Sequence, residues 1–520
     1  MTDATRTAPG AEPAAAAESA AGAAGAAADA KALDRSLVQG VAWTAGVKWL
    51  SQILSWGSTL VVARLLTPSD YGLLSMATVF LGLVMLLNEF GMGLAVVQQR
   101  RLTTHQIAQI NGLSVLFGLG AALIGAAAAW PLARFYDAPA LTAVVLVLSA
   151  NFVITSFRTV PLALLQRDLQ FRRVALNEGV QAIVLSLATV LFAALGFRYW
   201  TLVIGSVLSS LLSTGFAVLQ RPHRLAWPRL GEIREAFTFG SHVVVSRLCW
   251  YGYQNADFLV AGKLLGKEAL GAYSFGWTIA GIPVQKVSAM VGRVTPSIFS
   301  AVQDDNAALR RYVNIITEGL ALVTVPAAVG MGLVAEEFVL LALGEQWRGA
   351  IAPLRLLAVY AAFRSIVTIL PQVAQATGLS REGMRNAVLS VIVMPIAFLV
   401  GARWGTTGIA GAWIVGYPLV TLPLYVIVFR RIEMPVGRYL ASLWPAASGA
   451  LLMTAGVQGL RLVLPAEWPL AVRLTALALT GAAVYAATML VLHRSRTREL
   501  LATLKSLRGG KGRRPAGRPA

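Results

Sequence analysis

A small set of ionisable side chains in this sequence lies deep inside long apolar stretches: Lys48, Arg158, Arg247, Lys286 and Arg364, against Glu89 and Asp257. A charge at membrane depth is expensive unless it faces protein or water, so each of these residues needs a reason for its place. Because the cations outnumber the carboxylates, the interior they share is cationic, and a cationic interior of low dielectric attracts an anion. The planar arginine fork matches phosphate oxygens two at a time. A phosphorylated lipid or sugar is therefore the chemistry these residues point to.

Spacing groups them further. Thr44, Lys48, Ser51, Ser55 and Thr59 recur at intervals of three and four, which places them on one helical face, with Lys48 roughly 18 Å from the cytoplasmic end at 1.5 Å per residue. That face either lines water or forms a packing seam of small hydroxyl residues, and the seam leaves Lys48 unexplained. Asn151, Thr155 and Arg158 repeat the pattern, as do Arg364, Thr368, Gln372 and Gln375. Arg158 has the alternative of snorkelling to the headgroups; Arg364 lies too deep for that to be easy. Ser246, Trp250, Tyr253 and Asp257 share a face with Arg247 roughly 80° away. An aromatic and charged face suits a sugar or a phosphate, the alternative being a salt bridge from Arg247 or Asp257 that only fixes packing. Lys286 follows Pro283, whose kink frees carbonyls of the kind that border a cavity. The expected ligand set is thus Lys48, Arg158, Arg247, Trp250, Tyr253, Lys286 and Arg364. Glu89 and Asp257 are the groups expected to couple binding to protonation. Glu178 and Glu318 fall near helix ends and read as interfacial.

The elements that must hold these residues are membrane helices. Hydrophobic residues make up 57% of the chain and charged ones 13%, with a mean hydropathy of +0.67. A water-soluble domain carries roughly 25% charged residues. About fourteen segments are long enough for a bilayer core of about 30 Å. They are expected near 36–62, 71–96, 109–132, 140–163, 175–196, 200–219, 237–262, 272–297, 313–333, 350–376, 386–402, 408–429, 440–461 and 470–492. The fold class is all-α and polytopic. The divisions at Gly196 to Trp200 and at Arg403 to Gly405 carry the least sequence signal.

The net charge of +20 could suggest nucleic acid, but its distribution argues for topology instead. Arginines cluster in alternate loops: Arg100 and Arg101, Arg167 to Arg173, Arg221 to Arg234, Arg310 and Arg311, Arg381 and Arg385, and Arg430 to Arg438. By the positive-inside rule these loops and both termini are cytoplasmic, so the protein is expected to be a multi-pass membrane protein. The Ala/Gly-rich first residues lack the basic start and compact apolar core of a signal peptide and read as a disordered tail. The run from Arg494 to Arg518 reads as a topology anchor or a contact with the anionic leaflet, and without interleaved aromatics it offers no base stacking. Cys249 is the lone cysteine, which excludes an internal disulfide and a multi-cysteine metal site. No loop is long enough for a catalytic domain, and no zinc-protease, phosphate-loop or nucleophile-elbow motif occurs. An enzyme is not expected, and neither is a metal.

Two stretches 199 positions apart echo each other: Ala63 to Ser75 (Ala-Arg-Leu-Leu-Thr-Pro-Ser-Asp-Tyr-Gly-Leu-Leu-Ser) and Gly262 to Ser274 (Gly-Lys-Leu-Leu-Gly-Lys-Glu-Ala-Leu-Gly-Ala-Tyr-Ser). Each joins one long apolar segment to the next, so the chain reads as duplicated, and halves joined this way commonly enclose a path. With the stretch from Arg158 to Arg173, which holds Pro-Leu-Ala-Leu-Leu-Gln-Arg-Asp-Leu-Gln-Phe, and that from Asn255 to Tyr273, the sequence over about residues 36 to 440 resembles a known family. This is the polysaccharide transporter family of oligosaccharide-lipid flippases, within the multidrug/oligosaccharidyl-lipid/polysaccharide superfamily. The segment around Gln166 looks most like the branch serving exopolysaccharide, colanic-acid-like or teichuronic-acid-like polymers.

The resemblance implies two six-helix lobes in parallel pseudo-repeat plus two C-terminal helices. Residues 1–35 are then an N-terminal tail, 36–220 the first lobe, 221–236 a cytoplasmic linker, 237–430 the second lobe, 440–492 the added helices and 493–520 a basic tail. It also implies a carrier for undecaprenyl-pyrophosphate-linked oligosaccharide, used in exopolysaccharide or lipopolysaccharide synthesis, working by alternating access with a proton or sodium gradient as driver. A glycan polymerase complex is the partner such a role brings with it, besides the bilayer itself. No family motif assigns individual binding residues. A multidrug or cation antiporter of the same superfamily and a peptidoglycan-precursor flippase remain alternatives, as does, from another class, a membrane glycan polymerase or ligase, which the short loops disfavour.

Overall fold

The structure, a computed structural model, describes residues 46, 49–89, 92–99, 101–229, 251–292, 294–465 and 467–496; for 87–89 and 286 it describes the backbone alone. Among the described residues there are helices and turns but no strand, as a lipid environment demands, because a helix satisfies its backbone polar groups within itself. Helix α1 covers residues 49–65 and is followed by α2 (Pro68–Glu89), α3 (Met92–Gln98), α4 (Thr104–Phe135), α5 (Ala140–Arg167), α6 (Phe171–Ala194) and α7 (Trp200–Gln220). After a short turn of helix, α8 (residues 251–254), come α9 (Ala256–Gly292), α10 (Thr295–Ala301), α11 (Asn306–Leu333), α12 (Ala335–Ala342), α13 (Ile351–Val367) and α14 (Leu370–Ala376). The chain continues through α15 (Ser380–Gly401), α16 (Gly405–Arg431), α17 (Val436–Val463) and α18 (Leu470–Val491). Ten helical stretches among the described residues are long and apolar enough to cross a bilayer.

The turns of weakest sequence signal are real breaks. Gly196 (φ 80°) and Arg198 (φ 52°) separate α6 from α7, and Gly405 (φ 67°) separates α15 from α16. Gly266 (φ 81°, ψ 179°) interrupts α9, so its two arms correspond to the segments expected on either side of that loop. The segment expected at 350–376 is discontinuous: α13 ends at Val367 and α14 starts at Leu370, with Pro371 in its first turn. Local chemistry sets the starts. Thr67 caps α2, its hydroxyl accepting from the Asp70 amide at 3.3 Å while Asp70 accepts from the Thr67 amide at 3.0 Å, and Pro68 fills the first helical position, where no amide is needed. Thr103 and Gln106 make the same reciprocal box at α4. Leu119, Leu123 and Trp130 on α4, Leu187 and Leu191 on α6, and Leu419 and Leu422 on α16 project outward, which is costless where the surroundings are as apolar as the side chains.

Helices α2 to α7 pack mainly on one another, as do α9 to α18, and the principal contact between the two sets is α2 against α9. The sequence echo is that contact. A Cβ on Gly72 would lie 1.7 Å from the Lys267 carbonyl oxygen, and a Cβ on Gly271 would lie 1.7 Å from that of Pro68. The two glycines are equivalent positions of the repeat and so are Pro68 and Lys267, so the crossing is a self-complementary contact about a pseudo-two-fold axis. One turn on, the Ser75 hydroxyl donates to Ser274 Oγ at 3.0 Å, again 199 residues apart. Trp347, fully buried, seals the same end by donating from Nε1 to the Ala63 carbonyl at 2.8 Å and packing edge-on against Tyr71 and tilted against Phe275.

The two C-terminal helices are tied on by charge. Glu337 of α12, with its side chain 2% exposed, accepts from Arg461 of α17 at 2.8 Å and from Arg473 of α18 at 3.5 Å. Breaking a buried pair leaves an uncompensated charge. Arg461→Ala is therefore expected to lower stability by about 3 kcal/mol, read as a fall in the thermal midpoint of the detergent-solubilised protein. In a Cys249→Ala background, Ser75→Cys with Ser274→Cys is expected to form a disulfide under mild oxidant. Adding Gly72→Val should prevent it, because the valine pushes the helices apart; a gel shift distinguishes the two.

Candidate functional site

Arg364 stands one turn before the break between α13 and α14 and lines a cavity of about 100 Å³ with Trp277, Gln285, Ser288, Tyr360 and Thr368. Among the described residues no carboxylate lies within ion-pair distance of it. The Tyr360 hydroxyl and Ser288 Oγ on the same wall are buried without a hydrogen-bond partner among the described residues. A guanidinium beside two unpaired hydroxyls is a set of donors arranged for an oxygen-rich anion. The break in the helix belongs to the same design, since irregular backbone at membrane depth is tolerated where it lines a cavity.

Behind the cavity lies an aromatic wall. Trp277 and Tyr360 are 5.8 Å apart between centroids, Tyr360 and Trp413 4.8 Å, and Tyr360 and Tyr417 5.6 Å with rings nearly perpendicular. Tyr253, Tyr360 and Tyr417 all lie within electrostatic reach of Arg364. Such rings offer flat apolar faces with polar rims, as a sugar requires. Asp257 closes the far side. It is fully buried, its Oδ2 accepting from the Tyr273 hydroxyl at 2.7 Å and from Trp413 Nε1 at 3.0 Å. Both donors are neutral, and no cation among the described residues pairs with it. A carboxylate so held can take up a proton or a small cation. No cluster of three or more metal-ligating side chains occurs among the described residues.

Of the sequence-expected residues, the structure brings together Tyr253, Asp257 and Arg364. Arg158 sits elsewhere: its Nη1 donates to Gln181 at 2.8 Å and Ser213 at 2.9 Å, and Asn151 of the same stripe donates to Ser206 at 3.2 Å. That stripe holds α5 to α6 and α7. In the Arg364 stripe, Thr368 lines the cavity while Gln372 accepts a hydrogen bond from Thr295. Lys48, Arg247 and Trp250 lie outside the described residues, as do the side chains of Glu89 and Lys286. The sequence reading missed Tyr273, Trp277, Tyr360, Trp413 and Tyr417, since aromatic residues in apolar helices carry no periodic signal that separates a wall from a core. The position of Tyr360 one turn before Arg364 was the available hint.

These features define a class first: a polytopic, all-α membrane protein whose two helix sets meet at the α2/α9 crossing. A solved lipid II flippase, MurJ, in an inward closed conformation has this fold, with a TM-score of 0.71 at 12% identity over 87% of this chain and 99% of that one. Residues 61–352 match the family model described as polysaccharide biosynthesis protein, and the chain belongs to that family. The lipopolysaccharide biosynthesis protein WzxC of Escherichia coli (strain K12) is 22% identical over 422 residues, 79% of this chain and 85% of that protein. The succinoglycan biosynthesis transport protein ExoT of Rhizobium meliloti (strain 1021) is 25% identical over 476 residues, 90% of this chain and 95% of that protein.

Replacing Tyr273 and Trp413 together by Phe removes both side-chain donors from the buried Asp257 carboxylate. A destabilisation of about 2–4 kcal/mol is expected, and adding Asp257→Asn should recover part of it. Thermal unfolding of the parent and the two variants checks the order.

Proposed function

We propose that this protein is a flippase that carries an undecaprenyl-pyrophosphate-linked oligosaccharide from the cytoplasmic to the periplasmic leaflet for exopolysaccharide or lipopolysaccharide synthesis. The carrying observation is Arg364: a guanidinium at a helix break, facing a cavity, without a carboxylate partner among the described residues. The names of the relatives in polysaccharide biosynthesis and transport agree with that reading.

In this reading the pyrophosphate rests on Arg364, the first sugars lie against Trp277, Tyr360 and Tyr417, and the polyprenyl tail stays in lipid through a lateral opening. Charge then never meets hydrocarbon. Residues 36–220 and 237–430 act as the rocking bodies, and the α2/α9 crossing closes the periplasmic side, with both termini cytoplasmic. Protonation of Asp257, or sodium binding to it, would shift the packing of α9 against α16 through Trp413 and so link the cycle to an ion gradient. The protein is a carrier and makes or breaks no glycosidic bond. A pump for cationic drugs fits poorly, because its cargo would meet an uncompensated guanidinium.

Arg364→Ala is expected to abolish polymer export in a strain lacking the gene while the variant stays folded in the membrane, and to cost about 10- to 100-fold in binding of the lipid-linked substrate. Arg364→Lys, which keeps the charge and loses the fork, should retain part of the activity. Normal export from Arg364→Ala would sink the assignment. Flipping in proteoliposomes should lose its dependence on an imposed proton or sodium gradient in Asp257→Asn; a dependence that survives removes Asp257 from the coupling.

A further inference from the structure

Away from the central cavity, the first turns of α11 and the turn before α17 close on each other. Arg310 donates to the carbonyl of Ile432 at 3.0 Å and to the Glu433 carboxylate at 3.2 Å, and Asn306 reaches the Arg431 carbonyl at 3.5 Å. Together with Arg496 beyond α18 they border a second cavity, of about 330 Å³, lined also by Arg311, Asn314, Glu318 and Arg438. Four arginines and one carboxylate leave it strongly cationic. Arg310 is held by the turn, whereas Arg311 and Arg438 have no carboxylate within ion-pair distance among the described residues. Nothing in the proposed transport cycle uses this cavity.

We propose that this pocket binds the headgroup of an anionic phospholipid whose phosphodiester carries a hydroxyl-bearing group, as phosphatidylglycerol does. Two features of the pocket select that chemistry. The arginine forks supply paired donors for phosphate oxygens. Beside them the Asn314 amide oxygen is buried and has no partner among the described residues; it is an acceptor, which an unprotonated phosphodiester cannot satisfy and a glycerol hydroxyl can. The position suits a lipid too. Val436, Leu440 and Trp444, within two turns of Arg438 on α17, are exposed apolar side chains, which places the rim of the pocket at the hydrocarbon boundary. It lies on the face that the arginine asymmetry assigns to the cytoplasm, where anionic lipids are attracted to basic pockets between helices. A lipid seated there would bridge α11, α17 and the segment after α18, fixing the C-terminal helices to the rest of the fold on the side opposite Glu337.

The test uses the full-length protein in nanodiscs of phosphatidylcholine containing phosphatidylglycerol, with retained lipid counted by native mass spectrometry. Arg311→Ala with Arg438→Ala should weaken phosphatidylglycerol retention at least about tenfold, and the corresponding Lys pair should fall between. Arg381→Ala with Arg385→Ala, which removes equal charge from exposed positions on α15, should retain lipid as the parent does. Should the double variant fail to fold, Arg438→Ala alone, at an exposed position, is expected to give a several-fold loss. Unchanged retention in the folded Arg438 variant, or equal loss in the α15 control, overturns the proposal. So does displacement of the lipid by inorganic phosphate at millimolar concentration, which would make this a site for free anions.

Discussion

The architecture depends on two glycines that let backbones touch. At the α2/α9 crossing Gly72 faces the Lys267 carbonyl and Gly271 faces that of Pro68, at a separation that leaves no room for even a methyl group. This contact joins the two helix sets. It brings the equivalent turns of the repeat together at one end of the molecule, where Trp347 and the Ser75 to Ser274 bond complete the seal. It also directs the second arm of α9, which carries Trp277 and Ser288, toward α13. Close backbone approach gains dispersion without a hydrophobic driving force, which the bilayer does not supply.

Against that close-packed end, charge is used in two different ways. Where it holds helices together it is tied to other helices: Glu337 is ion-paired with Arg461 and Arg473, and Arg158 is hydrogen-bonded to the neutral Gln181 and Ser213. At the centre it is unmatched. Arg364 and Asp257 share one aromatic cluster yet belong to different ends of it, each with neutral neighbours. A structural pair would have been neutralised on the spot. An unmatched cation and an unmatched anion a few side chains apart are suited to a site that exchanges ligands, because the cost of the empty state is what the ligand relieves.

Much of this was legible in the linear chain. Helix positions came from apolar length, and the breaks at Gly196, Gly266 and Gly405 from glycine in turns. The depth of Arg364 and Asp257 marked them as candidates for the interior, and the structure sets both beside the aromatic cluster. Arg158 shows where the method runs out. Its stripe with Asn151 and Thr155 has the same period as that of Arg364, yet it faces neighbouring helices, because helical phase fixes which residues share a face and says nothing of what that face meets. The aromatic wall was invisible for the complementary reason: tryptophan and tyrosine look alike in a packed core and beside a cavity.

By itself the sequence determined the solvent of this protein, its helical class and the echo between its two turns. These are properties of composition, length and period, which each segment carries locally. Only the tertiary structure decided that the echoed turns are one contact rather than two copies of a loop. It alone separated the arginine that binds helices from the arginine that faces a cavity, and set Asp257 against Tyr273 and Trp413. Those outcomes depend on which helix lies beside which, and in a bilayer that is chosen by close packing of small residues and pairing of polar ones across long separations, information that no single segment contains.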